Sequence, residues 1–401
     1  IRWPASNDVH ITASQIEKNA ENPTKQIGHI NAMLAVHGLN PVKSTSPALA
    51  ITPQYLSTET ERDVHDERLV SIVMTTYKRD PLLDAAIGSI LNQTYRNIEL
   101  LIVDDCSPDD NFAYLQQLAE ADERIRVFRM EENGGTYLAK NFGMTQAKGA
   151  FIGFMDSDDY AHPQKIERQV ESLANDLNLQ GVVHRCIRID ESSNIEFRGV
   201  GPFRMSCISL MIRRSVVEKM GYFDSLRVGA DTEFIERINA VFGKGALLEA
   251  PELTMFMMRH SSSLTGGGPF HISWRSVAGP RLIHHTNFRM WHQKIAQKKN
   301  SGYVPRHISS RPFDVHESQK STHYVWKEGT PMFSERIQLR HEKWWAEDKD
   351  VWQKSLSAKL WGRNFVEKLG VKVPELYWSG SEVNEVPDFS TLPSHFVLKP
   401  E

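Results

Sequence analysis

The sequence predicts an α/β protein in which a mostly parallel β-sheet is flanked by helices. Short apolar segments alternate with helical periodicity between residues 69 and 160, which is the pattern of repeated strand–helix–strand units. Three of the apolar segments lead into polar residues, at Thr75, Asp104 and Asp156. Because the carboxyl ends of parallel strands lie at one edge of a sheet, we expect these three ends to line one cleft.

The chain begins with a region that predicts helices rather than strands. Residues 14–17 have the spacing of a capping box, which marks a helix start, and Asn22 followed by Pro23 marks a second start. We therefore predict a helical hairpin over residues 1–45 that packs on a neighbouring domain or another subunit. Residues 46–68 are rich in Pro, Ser and Thr, which predicts a linker.

The α/β unit then follows in order. Apolar runs predict the strands, and the segments between them have helical periodicity or turn residues. The predicted strands are residues 70–75, 98–103, 125–129, 151–155, 181–185, 207–212 and 253–259.

Composition describes an ordinary globular protein of 401 residues with a net charge of −3 and an apolar fraction of 40%. The absence of a basic excess argues against nucleic acid as the main partner. Cys106, Cys186 and Cys207 fit neither a disulfide framework nor zinc-ligand spacing, which favours a reducing compartment. No apolar run has the length of a membrane helix and no signal peptide is visible. We therefore expect a cytoplasmic protein.

Three carboxylates follow the strand at residues 151–155, namely Asp156, Asp158 and Asp159. Acids this close repel one another unless a cation neutralises them, and oxygen ligands suit magnesium or manganese. A polar turn after a core strand is the alternative, and these residues alone do not decide between the two.

Six short motifs occur in order between residues 71 and 159. They are SIVMTTY at 71–77, SILNQTY at 89–95, ELLIVDD at 99–105, NGG at 133–135, AKNFG at 139–143 and DSDD at 156–159. This segment resembles the nucleotide-sugar-binding half of family-2 glycosyltransferases of the GT-A fold. The resemblance implies a GT-A domain over residues 69–268. Lys140 is a departure, because the family usually has arginine there.

The resemblance implies a UDP-sugar donor, with one of the paired aspartates reaching the uracil ring. A helix cap is the alternative role for that pair. The residues that it assigns to donor binding are Thr75, Tyr77, Arg79, Asp104, Asp105, Asn133, Gly135, Lys140, Asp156 and Asp159.

A divalent metal, Mn²⁺ or Mg²⁺, is also implied by the resemblance. Asp158 is the expected main ligand and Asp156 a second, both holding the metal on the diphosphate. Asp159 is expected to contact the donor sugar or the same metal. His260, which directly follows a predicted strand, is expected to be a further metal ligand or a diphosphate contact.

Asp231 is the expected catalytic base of an inverting transfer. The family usually has Glu-Asp at this helix start, and here Ala230 replaces the first acid while Asp231 keeps the second. A helix cap is the alternative role for Asp231, and Glu233 on the next turn is a rival acid.

Two further regions follow the predicted GT-A domain. Residues 269–350 predict a helical or irregular extension. Between residues 281 and 320 it has eight Lys and Arg against two Asp and Glu. Such a tract contacts an anionic glycan, a lipid-linked acceptor or a membrane surface, or is simply a solvated face. Residues 351–401 carry GVKVPELY and LPSHFVLKP, and resemble the beginning of an ATP-grasp domain of the teichuronopeptide type. Lys399 would face ATP phosphates, but the segment is too short to form a nucleotide site.

Together these observations predict a metal-dependent inverting glycosyltransferase. Its expected acceptor is a hydroxyl of an oligosaccharide or lipid-linked glycan in a bacterial surface polysaccharide, of the capsule or lipopolysaccharide type. Peripheral contact with the inner face of the membrane is compatible with this prediction. A processive polymerase and a catalytically degenerate scaffold module are the alternatives. The sequence does not indicate the oligomeric state.

Overall fold

The computed structural model describes residues 7–19, 21–60, 62–196, 203–259 and 279–320. Within these residues the helices are α1 Asn7–Asn19, α2 Pro23–Val36, α3 Leu83–Leu91, α4 Asn111–Ala121, α5 Thr136–Gln146, α6 Lys165–Asn175, α7 Arg214–Met220, α8 Ala230–Phe242, α9 Gly279–Ala296 and α10 Glu317–Lys320. The strands are β1 Lys43–Ser44, β2 Leu56–Ser57, β3 Val70–Thr76, β4 Ile98–Asp104, β5 Ile125–Arg129, β6 Phe151–Asp156, β7 Tyr160–Ala161, β8 Gly181–Asp190, β9 Arg204–Met205, β10 Met211–Arg213 and β11 Leu247–Arg259.

Nine of the described strands form one mixed sheet in the order β5-β4-β3-β6-β10-β8-β11-β7, with β9 paired to β8. The pairs β3–β4, β3–β6, β4–β5 and β8–β11 are parallel. Strand β10 runs antiparallel between β6 and β8 and so joins two parallel halves. The predicted α/β fold, a mostly parallel sheet between helices with a helical N-terminal region, is confirmed. The strand predicted at 207–212 is shorter, because residues Cys207–Ser209 form a 3₁₀ turn.

The first half of the sheet has a register that fixes the position of its polar ends. Every residue of β3 and β4 is buried, as expected for strands covered on both faces by helices. Thr75 of β3 lies opposite Asp156 of β6, and Thr76 lies opposite Asp104 of β4. The three predicted strand ends therefore lie side by side at one edge.

The N-terminal hairpin packs on the sheet of its own chain. Ser14 lies inside α1 rather than at its start, and its hydroxyl donates to the Gln26 carbonyl at 3.0 Å. The predicted capping box is therefore wrong, because the serine bridges the two helices instead. The second predicted start is confirmed, since the Asn22 side chain accepts from the Lys25 amide at 3.3 Å and Pro23 begins α2.

A second apolar core lies between this hairpin and the sheet. It joins Ile30 and Leu34 of α2 to Ile187 of β8 and Phe256 of β11, all of which are buried. Ile51, in the segment predicted as a linker, is fully buried in the same core. The strands β1 and β2 also pair within residues 43–57. The hairpin and the following segment thus cover the second half of the sheet.

Some predictions fall outside the described residues. These are the role of His260, the residue 351–401 segment with Lys399, and much of the extension predicted at 269–350. None of the described helices combines the length and the apolar character needed to span a bilayer.

Helix α5 packs closely on β3 and β4 through Gly143. An added Cβ at this glycine would lie 2.4 Å from Val73 Cγ1 and 3.3 Å from Val103 Cγ2. We predict that Gly143→Ala lowers the free energy of unfolding by about 1–3 kcal/mol, because neither strand side chain has room to move.

Gly88 is the matched control for this substitution. It lies inside α3, and an added Cβ there has no neighbour within 4 Å. We expect Gly88→Ala to stabilise the protein by roughly 0.5–1 kcal/mol through helix propensity. Chemical denaturation of both variants measures the difference. Equal effects of the two substitutions would contradict the close packing of α5.

Candidate active site

A cleft of about 550 Å³ lies at the carboxyl edge of the sheet. Loops after β3, β4 and β6 form one side, and β8, β9 and the start of α8 form the other. The cleft brings together eight residues that the sequence analysis assigned to a site. They are Thr75, Tyr77, Asp105, Lys140, Asp156, Asp158, Asp159 and Asp231.

Four other predicted residues do not line the cleft. The guanidinium of Arg79 lies 3.7 Å from the centroid of the Tyr114 ring. The Asn133 side chain donates to the Asp105 carbonyl at 3.2 Å, and the Gly135 amide donates to the Asp105 carboxylate. The fourth, Asp104, is fully buried. Asn133 and Gly135 therefore contact a residue of the cleft, whereas the side chains of Arg79 and Asp104 contact residues outside its lining.

Asp104 organises the loop that follows β4. Its carboxylate accepts from the Ser107 amide at 3.0 Å, from the Ser107 hydroxyl, and from the Asn111 side chain at 2.9 Å. Arg129 Nε lies 3.6 Å from the same carboxylate. The side chain therefore links the end of β4 to the start of α4. This structural role resembles the helix cap that was the alternative for the paired aspartates.

Asp105 faces the cleft and is held in place by two backbone amides. Its two carboxylate oxygens accept from Gly134 N at 2.9 Å and from Gly135 N at 2.7 Å. Gly135 has a φ of +86°, a conformation that favours glycine and that turns its amide towards the carboxylate. Burial raises the pKa of Asp105, although both amides oppose the shift. Asp105 lines the cleft. Each of its carboxylate oxygens has a second lone pair that can accept a hydrogen bond from a bound molecule.

The acidic motif follows β6 directly. The Lys140 ammonium lies 2.9 Å from Asp156 Oδ1 and is itself nearly buried. Asp159 Oδ1 accepts from the Met258 amide at 3.0 Å, while its buried Oδ2 has no hydrogen-bond partner among the described residues. Burial holds the pKa of Asp159 well above its usual value, and the charges of Asp158 and Asp156 raise it further. The charges of Asp156 and Asp158 thus act on a buried third carboxyl group, and the raised pKa favours the protonated form of Asp159.

The donor set of this motif is suited to a hard divalent cation. Asp156 and Asp158 offer carboxylate oxygens, and Mg²⁺ in nucleotide sites is commonly held by one or two carboxylates plus substrate phosphates. Across the described ranges, no three His, Cys, Asp or Glu side chains converge to hold a metal ion. A cation held by one or two carboxylates takes its other ligands from water or from substrate oxygens.

Asp231 lies in the first turn of α8, on the opposite side of the cleft. The cap position is Gly229, with a φ of +88°, and no side chain caps the helix. Asp231 Oδ1 accepts from the Thr232 amide at 2.7 Å. Burial raises the pKa of the neighbouring Tyr137 phenol, and the Asp231 charge adds to this shift. The carboxylate therefore lines the cleft and also accepts from a first-turn amide of its own helix.

The rival acid Glu233 is part of the core beneath α8. It is fully buried and lies 3.0 Å from the Arg237 guanidinium and 2.9 Å from His292 Nε2. Burial raises its pKa, but Arg237 and His292 outweigh that effect and hold the pKa below its usual value. Glu233 does not line the cleft. Its role in the structure is to anchor α8.

Sequence analysis missed several residues on the Asp231 side of the cleft. Four arginines line it, namely Arg188, Arg204, Arg227 and Arg281. Arg281 is the first residue of the basic tract between residues 281 and 320. The sequence showed this tract but did not predict that Arg281 lines the cleft. The other three lie among ordinary strand and loop residues, where no motif marks them.

Two cysteines also line the cleft. Burial raises the pKa of Cys186 to about 11 and raises that of Cys207 as well. Both thiols are therefore protonated at neutral pH and are poor nucleophiles.

Three other residues of the basic tract form ion pairs with acids of the same chain. Arg289 binds Glu236 at 2.7 Å, Arg311 binds Asp224 at 3.0 Å, and Lys320 pairs with Glu317 three residues before it in α10. These pairs place part of the positive charge of the tract against acids outside the cleft.

Part of the chain around the cleft is similar to known proteins. Residues 71–221 match the family model described as Glycosyl transferase family 2. The chain is 39% identical over 105 residues to the putative teichuronic acid biosynthesis glycosyltransferase TuaG of Bacillus subtilis, and the match covers 26% of this chain and 42% of TuaG. It is 39% identical over 108 residues to the UDP-Glc:alpha-D-GlcNAc-diphosphoundecaprenol beta-1,3-glucosyltransferase WfgD of Escherichia coli, covering 27% of this chain and 42% of WfgD.

The matched region therefore spans about two fifths of the length of these relatives. Among solved structures, the mannosyltransferase PcManGT of Pyrobaculum calidifontis in complex with GDP-Man and Mn²⁺ is 16% identical, with a TM-score of 0.42. That similarity covers 73% of this chain and 76% of PcManGT.

The anchoring role of Glu233 can be tested against a neighbour on the same helix. We predict that Glu233→Gln destabilises the protein by roughly 3–5 kcal/mol, because it breaks a buried ion pair and leaves the Arg237 charge uncompensated. Glu236→Gln removes the more exposed pair with Arg289 and should cost at most about 1 kcal/mol. Chemical denaturation measures both. Loss of turnover without loss of stability in Glu233→Gln would instead make Glu233 the reacting acid.

Proposed function

We propose that this chain, which carries a glycosyl transferase family 2 domain at residues 71–221, moves a sugar from a UDP-sugar to an acceptor hydroxyl with inversion at the anomeric carbon. The observation that carries the proposal is the arrangement of the cleft. A negative motif, Asp156 to Asp159, and the oriented carboxylate of Asp105 lie on one side, and Asp231 lies on the other.

The donor nucleotide is proposed to bind beside Asp105. A uracil imide is a hydrogen-bond donor, and the Asp105 carboxylate is held by two glycine amides so that it faces the cleft. Thr75 and Tyr77 line the same side. Arg79, Asp104, Asn133 and Gly135 are proposed to act indirectly, by fixing the loops around that carboxylate. The name of the relative WfgD includes UDP-Glc, which supports a uridine donor.

Asp156 and Asp158 are proposed to hold Mn²⁺ or Mg²⁺ together with the donor diphosphate, with His260 as a further ligand. When bound, the cation neutralises negative charge that develops on the leaving diphosphate. Lys140 lies 2.9 Å from Asp156 and adds a second positive charge on the same side of the cleft. Asp159 is proposed to contact the donor sugar or the same cation through its unpartnered oxygen.

Asp231 is proposed to be the general base. Its carboxylate takes the proton from the acceptor hydroxyl as that oxygen attacks the anomeric carbon. The attack comes from the face opposite the leaving UDP, so a single displacement inverts the configuration. The burial of Glu233 away from the cleft favours Asp231 over Glu233 as the base.

The acceptor is proposed to be an oligosaccharide or lipid-linked precursor of a bacterial surface polysaccharide, of the capsule or lipopolysaccharide type. This acceptor class is supported by the names of TuaG and WfgD. They refer to teichuronic acid biosynthesis and to a diphosphoundecaprenol-linked sugar. A precursor of that kind places the reaction at the inner face of the cytoplasmic membrane.

Calorimetric titration of UDP tests the donor site. We expect UDP to bind in the presence of Mn²⁺, and to bind much more weakly without it or in Asp158→Asn, because the diphosphate would then face uncompensated carboxylates. GDP titrated under the same conditions should bind more weakly than UDP. Preference for GDP would overturn the uridine assignment, and binding of neither nucleotide would favour a degenerate scaffold.

Turnover of a UDP-sugar tests the base. We expect Asp231→Asn to reduce kcat by about 10²–10⁴-fold, because the proton acceptor is lost, while UDP affinity stays near that of the wild type. Glu236→Gln, on the same helix but outside the cleft, is the matched control and should leave kcat unchanged. Release of UDP is the measured quantity. Near-normal turnover of Asp231→Asn would rule out the base assignment.

A further inference from the structure

The chain contains a long segment without acidic side chains. Between residues 253 and 313 there are nine Lys and Arg and no Asp or Glu, although the whole chain has 50 Asp and Glu against 47 Lys and Arg. The structure describes residues 253–259 and 279–313 of this segment. Protein surfaces that face only water usually carry both signs of charge. A segment of one sign is typical of a surface that meets a partner of the opposite sign.

Three lysines of this segment lie at the end of helix α9. Lys294 is in the last turn, Lys298 and Lys299 follow it, and all three residues are exposed. In the described part of the chain, none of the three forms an ion pair. Arg289 differs from them, because it pairs with Glu236 of α8. The end of α9 is therefore a positively charged surface.

Lys298 occupies a position that favours glycine. Its φ is +59°, in the left-handed region, and the Lys299 amide donates to the Lys294 carbonyl at 2.8 Å and closes the helix end. Glycine is the usual residue at such a helix end, because a Cβ is unfavourable in this conformation. The backbone therefore does not account for a lysine at residue 298.

Apolar side chains are exposed on the same helix. Leu282 and Met290 of α9 are 41% and 52% exposed. Residues eight positions apart lie on one side of a helix, and Met290 is also one turn before Lys294. Phe288 and Trp291 are buried on the opposite side, where α9 packs on the core. Apolar side chains next to unpaired lysines are typical of a helix that lies in a membrane interface.

The exposed side of α9 begins beside the cleft. Arg281 lines the cleft, and Leu282 is the next residue. At a rise of 1.5 Å per residue, Lys294 lies about 20 Å from Arg281 along the helix. A flat surface that contacts this side of α9 would therefore lie next to the cleft. The residues that form this side, which we call the α9 surface, are Leu282, Met290, Lys294, Lys298 and Lys299.

We propose that the α9 surface binds a membrane that contains anionic phospholipids. The lysines contact the phosphate headgroups, and Leu282 and Met290 lie at the boundary between the headgroups and the acyl chains. An acidic polysaccharide would also attract the lysines, but it has no apolar layer to cover Leu282 and Met290. The role of this contact rests on the proposed function, because it holds the cleft at the membrane that carries a lipid-linked acceptor.

Co-sedimentation of the full chain with vesicles tests the proposal. The vesicles consist of phosphatidylcholine alone or of equal parts of phosphatidylcholine and phosphatidylglycerol, and no nucleotide or acceptor is present. We expect binding to the vesicles that contain phosphatidylglycerol and little binding to phosphatidylcholine. Binding should weaken as the salt concentration rises, because salt screens the lysine charges. Equal binding to both kinds of vesicle would contradict the role of the lysines.

Lys298→Gly separates the effect of the ammonium group from that of the backbone. A lysine near an anionic membrane surface contributes about fivefold to the affinity, so this substitution should weaken vesicle binding about fivefold. It should also raise the midpoint of thermal unfolding, because glycine adopts the left-handed conformation without strain. Weaker binding by a more stable protein cannot result from a loss of fold.

Two further variants locate the contact. Lys298→Gln combined with Lys299→Gln should weaken vesicle binding by more than about tenfold. Met290→Gln should weaken it by about three- to tenfold, since part of an exposed apolar side chain no longer enters the lipid. The matched control is Lys18→Gln combined with Lys25→Gln, which removes the same charge from the N-terminal hairpin. We expect the control to bind vesicles as the wild type does.

Either of two results would overturn the inference. One is vesicle binding at wild-type affinity after both Lys298 and Lys299 are replaced by Gln. The other is binding of the chain to polygalacturonate, an acidic polysaccharide, but to neither kind of vesicle, which would assign the α9 surface to a glycan.

Titration of UDP with Mn²⁺ on the same samples separates this inference from the proposed function. Vesicle binding without UDP binding would contradict the proposed donor and leave the membrane contact standing. UDP binding without vesicle binding would overturn the membrane contact and leave the proposed transfer standing.

Discussion

The position of strand β3 between two parallel neighbours is the constraint on which the cleft depends. Its pairing with β6 and β4 places Thr75 opposite Asp156 and Thr76 opposite Asp104. A shift of the register by one residue would turn every side chain of a strand to the other face. Because both faces of β3 are buried, the register is strongly specified. Polar residues that are far apart in the chain are therefore brought to one edge of the sheet by the pairing of their strands.

The opposite side of the cleft is positioned in a different way. Helix α8 presents Asp231 from its first turn, and the buried pair of Glu233 and Arg237 fixes that helix to the core. Arg237 also donates to the Met220 and Tyr222 carbonyls at 2.6 and 2.7 Å, which ties α8 to the end of α7. The side of the cleft with the acidic motif is thus fixed by backbone pairing in the sheet, and the side with Asp231 by a buried charge network.

The sequence predicted the features that depend on local pattern. Strand ends with acids, such as Asp156, and the glycine turn before α5 are visible in a few residues. The four arginines that line the cleft were not predicted to meet, because Arg188 and Arg281 are separated by 93 positions and come together only through tertiary packing. The sequence also did not show that Asp105 lines the cleft while Asp104 is buried behind it. Adjacent residues in extended chain point to opposite faces, so the two side chains have different surroundings. Similarly, the choice between Asp231 and Glu233 required knowledge of burial.

The second core shows where the folding unit of this protein lies. The family match begins at residue 71, whereas apolar contacts on the sheet reach back to Ile11 and Leu34. A recombinant fragment that began at residue 71 and kept the rest of the sheet would leave Ile187 and Phe256 facing water, although both are now fully buried. An exposed apolar sheet face of this kind promotes self-association. Expression of the sheet-containing part of the chain for crystallisation or assay therefore needs the N-terminal hairpin, which precedes the residues that match the family model.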